Sequence, residues 1–324
     1  MNKFLALALL PLVSAVLSLS PQAALAKYPE KPIRLVVPYP AGGTTDVLAR
    51  LVARNMSVLL GQQVIVDNKA GAATIVGVDA VAKSVNDGYT ILLSTATSFA
   101  VNPHIYKKLP YQLDEFVQIG FIAEAPIVLV SPPSFAPKNI TELVAYLKAN
   151  KDEIPVATTG KGGFSHLTAA MFFNAIGAKF RDVPYKGEAP AIQDLLGGQV
   201  NLYFGSLPGT LPHVTSGRFR PYAVTSVARS PSAPNIPSFT EAGISEVVAT
   251  SWFGLAAPKG TPAEAVAVLA DALRKAMDDK DVQARLFADG AVSRSFKPDE
   301  LADYIKRDNE RWGRIVRAAK FEAD

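Results

Sequence analysis

The strongest constraint on the fold is a regular alternation of short aliphatic runs with longer stretches whose apolar residues recur at helical spacing. Residues 33–37 form the first such run, and the following stretch carries Leu48, Val52 and Met56 on one face before it stops at Gly61. Similar pairs of segments recur along most of the chain. Strands that alternate with amphipathic helices are typical of α/β folds. The pattern therefore predicts an α/β protein with mostly parallel sheets and helices on both faces.

The N-terminus has the features of a secretory signal peptide. A positive start that contains Lys3 precedes an almost wholly apolar stretch up to Leu19, and Ala24 and Ala26 form a small-x-small cleavage site. These three features together are typical of a segment removed after export. We expect residues 1–26 to be this signal peptide and the mature protein to begin near Lys27. A retained membrane anchor is the alternative.

Two segments are predicted to cross between domains. Residues 127–133 and 252–258 are both strand-like and both end in proline. If the chain crosses once in each, residues 27–127 and 252–324 form a first domain, and residues 128–251 form a second domain inserted into it. About 300 mature residues suffice for two domains of ordinary size.

The composition excludes several classes of function. The chain has no cysteine, so thiol nucleophiles, disulfides and cysteine metal sites are absent. Its net charge of +4 is small and spread along the sequence. A nucleic-acid-binding surface would need clustered basic residues, so no nucleic-acid partner is expected.

Several strands run into loops rich in Gly, Ser and Thr that open a helix. Gly42-Gly43-Thr44-Thr45, Gly162-Gly163-Phe164-Ser165 and Gly205-Ser206 have this form. In open α/β sheets, ligands bind outside the carboxyl ends of the strands. A helix N-terminus at that edge presents unpaired N–H groups and a partial positive charge, which suit an anion. Ordinary capping and turn formation explain each loop equally well by itself, but their recurrence in both halves favours an anion site.

Enzyme and metal templates do not match. The run from Gly163 to Leu167 begins like a nucleophile elbow but lacks the second glycine, and Ser165 and His166 are neighbours on a predicted helix. His104, His166 and His213 have no metal-ligand spacing. The sequence thus predicts no catalytic residue, no metal and no cofactor.

Four candidate residues can be assigned expected roles, and two of them have alternatives. Asp46 in the first turn of a helix is expected to cap backbone N–H groups, because a carboxylate beside a bound anion would repel it. His166, at a loop-to-helix junction, is either a structural histidine or a ligand contact. Lys186 is either solvated or paired with a ligand carboxylate, while Tyr185 can wall a pocket with its ring and donate with its hydroxyl.

At these residues the chain resembles the receptor family of tripartite tricarboxylate transporters, the Bug proteins. The resemblance covers essentially the whole mature chain. The matching motifs, quoted by range, are 38–46 (PYPAGGTTD), 87–90 (DGYT), 102–103 (NP), 166–167 (HL), 183–187 (VPYKG), 195–200 (LLGGQV), 223–226 (AVTS), 251–254 (SWFG) and 258–262 (PKGTP).

The resemblance implies a periplasmic, monomeric binding protein of the Venus-flytrap type, with two α/β domains joined by two crossing strands. It implies a ligand carboxylate held in the cleft by backbone amides, hydroxyls and water, and integral membrane subunits of a tripartite tricarboxylate transporter as partner. The implied ligand-binding residues are Tyr39, Ala41, Gly42, Gly43, Thr44, Asp46, Ser94, Thr95, Thr97, Ser98, Gly160, Gly163, Phe164, Ser165, His166, Tyr185, Lys186 and Ser206.

One departure from the family pattern bears on the ligand. Members of the family usually carry a hydroxyl where this chain has Gly163, and small residues where it has Phe164. An aromatic wall favours an aromatic or long-chain carboxylate over a small, highly polar acid.

Two other functions fit the same residues. A receptor of this kind can report to a sensor kinase, and the mature sequence does not separate signalling from uptake. A periplasmic enzyme acting on a carboxylic acid would need a catalytic pair that the sequence does not show.

Overall fold

The computed structural model describes residues 28–150 and 152–318. The predicted signal peptide and cleavage site lie outside the described residues. Within them, no helix is both long and apolar enough to cross a membrane. The strands are β1 (Ile33–Val37), β2 (Val64–Asn68), β3 (Thr90–Thr95), β4 (Phe116–Ser131), β5 (Ile154–Thr158), β6 (Phe180–Pro184), β7 (Leu202–Ser206), β8 (Arg220–Val224) and β9 (Thr250–Pro258).

Ten α-helices accompany these strands in the described part of the chain. They are α1 (Thr44–Leu60), α2 (Ile75–Ala82), α3 (Asn102–Ile105), α4 (Ile140–Ala149), α5 (Phe164–Ile176), α6 (Glu188–Leu196), α7 (Leu207–Thr215), α8 (Ala263–Asp278), α9 (Lys280–Ala288) and α10 (Pro298–Ala318). A π-helical turn (Thr97–Val101) precedes α3, and a 3-10 turn (Leu113–Glu115) precedes β4.

The strands form a connected sheet in the order β2-β1-β3-β9-β4-β7-β5-β6, with β8 also paired to β4. Strand β1 pairs in parallel with β2 and β3, and β5 pairs in parallel with β6 and β7. Every pairing made by β4 or β9 is antiparallel. The predicted α/β fold is confirmed, and its parallel pattern is limited to the strands on either side of β4 and β9. The first half of the sheet contains β1, β2 and β3, and the second half contains β5, β6, β7 and β8. Strand β4 leads from the first half to the second and β9 leads back, so these two strands run in opposite directions.

The long strand β4 belongs to both halves of the sheet. Residues 116–126 pair with β9, whereas residues 127–131 pair with β7 and β8. The change of partner falls between Pro126 and Ile127, at the start of the first segment predicted to cross. The second predicted segment, 252–258, lies within β9.

Helices cover both faces of the sheet, as predicted. In β1, Ile33, Leu35 and Val37 face a core shared with α1 and α8, while Val36 packs on the other face with Val78 of α2. In the second half, Val128 and Val130 of β4 pack with α6 and α7. Leu129 between them faces α5. The alternation of period two therefore continues through β4 as it passes from one half to the other.

The end of α1 agrees with the prediction, and two other helices show how their ends are formed. Gly61 ends α1 in the left-handed conformation, at φ 65°. Asn139 caps α4, since its Oδ1 accepts from the backbone N–H of Glu142 at 2.9 Å. Before α8, Pro262 holds the N-cap position, and the hydroxyl of Thr261 donates to the carbonyl oxygen of Pro258 at 2.7 Å.

Candidate functional site

Loops from both halves of the molecule enclose a cavity of about 50 Å³. One half contributes the loop between β1 and α1 and the turn after β3. The other half contributes the loops that lead into α5, α6 and α7. The cavity is lined by Tyr39, Pro40, Gly43, Thr44, Thr45, Thr97, Ile127, Thr159, Phe164, Ser165, Glu188, Tyr203, Phe204, Ser206, Ser251 and Phe253.

The N-terminus of α1 is occupied by a carboxylate from the protein itself. Glu188, the first residue of α6, is 8% exposed, and its Oε2 accepts from the backbone N–H of Thr44 at 2.8 Å. The hydroxyl of Tyr203 donates to Oε1 at 3.4 Å. An added Cβ at Gly209 would lie 2.4 Å from Oε2, so the glycine leaves room for the carboxyl group. Glu188 therefore occupies the N-terminus of α1, one of the helix ends predicted to bind the ligand carboxylate.

Burial raises the pKa of Glu188, while hydrogen bonds from Thr44, Tyr203 and the backbone of Ser206 work in the opposite direction. The Ser206 side chain differs from these donors. Its Oγ lies in the cavity wall, buried and without a hydrogen-bond partner among the described residues. Since a buried polar atom without a partner is costly, this hydroxyl is available to a bound molecule.

Part of the cavity wall is apolar. Phe164, Phe204, Phe253 and Ile127 line it. The ring of Phe164 also packs edge-on against Trp312 of α10, at 4.8 Å between ring centroids, which fixes its position. The cavity thus combines a polar floor with an aromatic wall, as is usual for sites that bind small organic molecules.

A larger groove of about 270 Å³ lies next to the cavity and shares Tyr39 and Thr159 with it. Lys161 and Lys186 line this groove from one half, and both are exposed. The other half contributes the turn before α2, in which Ala72, Ala73 and Thr74 have φ values of 44°, 46° and 83°. Three consecutive residues without a glycine in the left-handed region cost free energy, which the surrounding structure must offset.

The structure brings together about half of the residues predicted from the sequence. Those that line the cavity are Tyr39, Gly43, Thr44, Thr97, Phe164, Ser165 and Ser206. Those that line the groove are Tyr39, Gly160, Tyr185 and Lys186. The Ser165 hydroxyl donates to the carbonyl oxygen of Phe204 at 2.6 Å.

The Tyr185 hydroxyl, predicted to donate to the ligand, has a partner within the protein. That hydroxyl donates to Asp194 at 2.7 Å, and burial, together with Asp194, raises the pKa of Tyr185 to about 12. The ring alone contributes to the groove.

Asp46 is a capping residue, as expected. It accepts from the backbone N–H of Gly42 at 3.0 Å, from Arg50 at 2.9 Å and from Asn68 at 3.0 Å. It lines neither the cavity nor the groove, and the same holds for Ala41, Gly42 and Gly163. Gly163 instead holds the N-cap position of α5.

Ser94, Thr95 and Ser98 turn into the protein interior and do not face the cavity. Thr95 and Ser98 hydroxyls lie 3.0 Å apart, and the Ser98 hydroxyl donates to Thr74 at 3.0 Å. The Ser94 hydroxyl donates to Gln118 at 3.4 Å. This network explains their polarity without a ligand, because buried hydroxyls need partners.

His166 has a structural role. Its Nδ1 accepts from the backbone N–H of Gly162 at 3.1 Å and lies 3.6 Å from Asp182. Burial lowers the pKa of His166, although Asp182 works in the opposite direction. The ring holds the Gly162 turn in place and lines neither the cavity nor the groove.

The residue that sequence reasoning missed is Glu188. An acidic residue directly after Gly187 in the first turn of a predicted helix is explained by the helix dipole alone, so its burial gave no local signal. Thr45, Thr159, Tyr203, Phe204, Ser251 and Phe253 were also missed as cavity residues. Thr45 lies in the first turn of α1, whereas the others stand in or beside β5, β7 and β9, where strand pairing brings them to the cleft.

Comparison with known proteins identifies the family. The model of the tripartite tricarboxylate transporter family receptor matches residues 48–321. BugT of Bordetella pertussis is 36% identical over 98% of both chains. The chain belongs to the receptor family of tripartite tricarboxylate transporters. The resemblance inferred from the sequence motifs is thereby confirmed, and with it the class of periplasmic solute-binding receptors.

Solved structures of this family have the same fold. The periplasmic binding protein BugD is 38% identical, with a TM-score of 0.88 over 91% of this chain and 99% of that chain. MatC of Rhodopseudomonas palustris, solved with bound malate, is 30% identical, with a TM-score of 0.85 over 89% of this chain and 100% of that chain. Another R. palustris protein, solved with adipate, is 31% identical, with a TM-score of 0.88 over 91% and 99%.

Proposed function

We propose that this receptor captures a small molecule bearing a carboxylate in the cleft between its two halves and delivers it to the integral membrane subunits of a tripartite tricarboxylate transporter. The observation that carries the proposal is the cavity and groove lined by loops from both halves, at the carboxyl ends of β1, β5, β6 and β7. Helix N-termini, hydroxyls and the two groove lysines together suit an anion.

The ligand of this proposal is an aromatic or long-chain carboxylate. Two relatives were solved with malate and adipate, which are both carboxylates. The aromatic wall formed by Phe164, Phe204 and Phe253 favours an apolar body between the polar ends of the ligand. Each Å² of apolar surface buried there contributes about 25 cal/mol.

Capture proceeds by closure of two domains. The first domain comprises residues 27–127 and 252–324, and the second comprises residues 128–251. The open form binds the ligand on one domain, and closure adds the donors of the other and excludes water. The membrane subunits then recognise the closed form, because the ligand shifts the population toward it.

Output to the periplasmic face of a transporter is proposed over output to a sensor protein, since relatives belong to a transporter family. No catalytic step is part of the proposal. Export by cleavage after Ala26 belongs to it, and the mass of the protein recovered from the periplasm tests that point: a mature chain should begin at Lys27.

Native mass spectrometry of the purified protein, followed by calorimetric titration with a panel of carboxylic acids, tests the function. We expect a co-purified acid or micromolar binding of at least one aromatic or long-chain member. Small-angle X-ray scattering should show a smaller radius of gyration on addition of that acid. A protein that holds no small molecule, ignores every acid and keeps its radius would contradict the proposal.

A further inference from the structure

The deep cavity and the adjoining groove carry opposite charges. Glu188 is the only ionisable carboxyl group among the residues that line the cavity, and that wall has no Lys, Arg or His in the described chain. The groove, in contrast, is lined by Lys161 and Lys186. A ligand that spans both spaces therefore meets an acid at its inner end and two cations at its outer end.

Glu188 has room for one more donor. A carboxylate accepts about four hydrogen bonds. The backbone N–H of Thr44 donates to Oε2 at 2.8 Å, whereas the contact from the Tyr203 hydroxyl to Oε1 is long at 3.4 Å, so Oε1 is the oxygen with capacity for a further donor. The unpartnered Ser206 Oγ lies in the same wall. A group that donates to Glu188 and exchanges a hydrogen bond with Ser206 would satisfy both.

The size of the cavity points to the same kind of group. With Glu188 in place, about 50 Å³ remains. One water molecule needs roughly 10–15 Å³ by this measure, so the space suits a hydroxyl or amino group and the ring or methylene carbon that bears it. A second carboxylate there would face Glu188 without any cation between them, which is unfavourable in a buried site.

We infer that Glu188 recognises a hydrogen-bond donor at the inner end of the ligand, so that the receptor selects carboxylic acids with a hydroxyl, amino or amide group far from the carboxylate, and discriminates against dicarboxylates of the same length. The inference rests on the proposed function, because the carboxylate of such a ligand is the group that the groove lysines would receive. It separates this chain from the relatives solved with malate and adipate, which are dicarboxylates.

Calorimetric titration with two matched series tests this. One series is 6-aminohexanoate, hexanoate, adipate and hexylamine, and the other is 4-hydroxybenzoate, benzoate, terephthalate and phenol. The proteins are the wild type, Glu188→Gln, Glu188→Ala and the control Glu142→Gln. The Glu142 side chain lies in the first turn of α4, outside the cavity and groove, and accepts from the backbone N–H of Lys138 at 2.8 Å, a bond that the glutamine oxygen can also accept. Thermal unfolding checks that each variant is folded.

We expect the wild type and Glu142→Gln to bind the donor-bearing acid roughly 10- to 100-fold more tightly than the dicarboxylate of its series. Both Glu188 variants should lose this preference, mainly because the dicarboxylate binds more tightly. A glutamine amide at position 188 could itself pair with a ligand. The alanine variant has no such group, so it tests the loss of preference independently.

The outcomes separate the inference from the proposed function. If acids bind but the ratio within each series is the same in the wild type and both Glu188 variants, the inference is overturned and the function stands. A wild type that prefers the dicarboxylates also overturns it. If no acid binds but the matched amine or phenol without a carboxylate does, the carboxylate function fails and the role of Glu188 stands. Failure of every compound with every variant rejects both.

Discussion

At the level of single residues, two acids beside the N-terminus of α1 have opposite environments. Asp46 lies among Arg50, Asn68 and the backbone N–H of Gly42. Burial acts to raise its pKa, but those hydrogen bonds outweigh burial and hold the pKa of Asp46 below its usual value. Glu188 has no cation beside it in the cavity wall, and burial raises its pKa. At this helix end, Asp46 is therefore a structural carboxylate, whereas Glu188 lacks a cationic partner and is the one that a ligand would affect.

Glu188→Gln should change how the stability of the ligand-free protein depends on pH. A carboxyl group whose pKa is raised on folding is least costly when protonated, so its cost appears as the pH rises above its unfolded pKa of about 4.3 and grows up to the folded pKa. The variant does not titrate. Its free energy of unfolding should therefore rise relative to the wild type by on the order of 1 kcal/mol between pH 4 and pH 7.

Urea unfolding of both proteins at several pH values measures this difference. Taking the difference cancels the titration of every other group. A gap between the two proteins that stays constant from pH 4 to pH 7 would show that Glu188 is not shifted on folding.

Asp46→Ala should destabilise the protein by about 1–3 kcal/mol at pH 7, because three donors lose a charged acceptor. Since the pKa of Asp46 is lowered on folding, its contribution is present above an unfolded pKa of about 3.9 and is lost as the pH falls through the folded pKa. The wild type and the variant should therefore converge below about pH 4. Asp303→Ala, at an exposed position on α10, is the control and should be near neutral in urea unfolding.

At the level of elements, α2 fixes the position of the loop that carries the site. Gly77 in the middle of this helix packs directly on the end of β1. An added Cβ would lie 2.7 Å from the carbonyl oxygen of Lys69 and 2.8 Å from Pro38. Pro38 begins the segment that leads through Tyr39 to Gly43 at the cavity. The close approach of helix and loop thus links the packing of α2 to the geometry of the cleft.

Gly77→Ala should lower the stability of the protein, although helix propensity alone predicts an increase. In an exposed helix, glycine to alanine gains about 1 kcal/mol. Here the new methyl group collides with backbone, so we expect a loss of roughly 1–3 kcal/mol and weaker ligand binding. Gly197→Ala is the matched control, because Gly197 ends α6 at φ −77° with no neighbour closer than 3.5 Å. Thermal unfolding of both variants measures the change in stability. Equal changes for Gly77→Ala and Gly197→Ala would rule out the proposed contact.

At the level of the whole molecule, Thr225 connects both passages between the halves. Its hydroxyl accepts from the backbone N–H of Ile127 at 2.9 Å and donates to the carbonyl oxygen of Ala249. Its own backbone N–H donates to Ile127 and its carbonyl accepts from Ala249, at 2.9 and 3.0 Å. Ile127 follows the change of partners in β4, and Ala249 precedes β9. One buried side chain therefore joins the two segments about which the halves would rotate.

Thr225→Val should lower the free energy of unfolding by about 1–3 kcal/mol, since it removes the hydroxyl and leaves the buried N–H of Ile127 without its acceptor. The passages between the halves should also become less well fixed, so the radius of gyration of the ligand-free protein should increase in small-angle scattering. Thr225→Ser keeps the hydroxyl and should resemble the wild type in scattering. If the valine and serine variants scatter alike, the hydroxyl does not hold the two passages together.

The sequence by itself determined most of the elements, the α/β class and the family. Each of these depends on local patterns: Ile33, Leu35 and Val37 alternate, Gly61 permits a left-handed end, and the motif at 38–46 is contiguous. Only the tertiary structure decided which polar groups meet in the cleft.

The physical reason lies in the separation of the partners. Glu188 and the backbone N–H of Thr44 are 144 positions apart in the chain, and the packing of the two halves alone puts the acid on that helix end. Ser98 and His166 have the composition of site residues, yet they bond to Thr74 and Gly162 and do not face the cavity. Hydrophobic periodicity specifies which face of an element is buried, but it carries no information on which distant loop will satisfy a given hydrogen-bonding group.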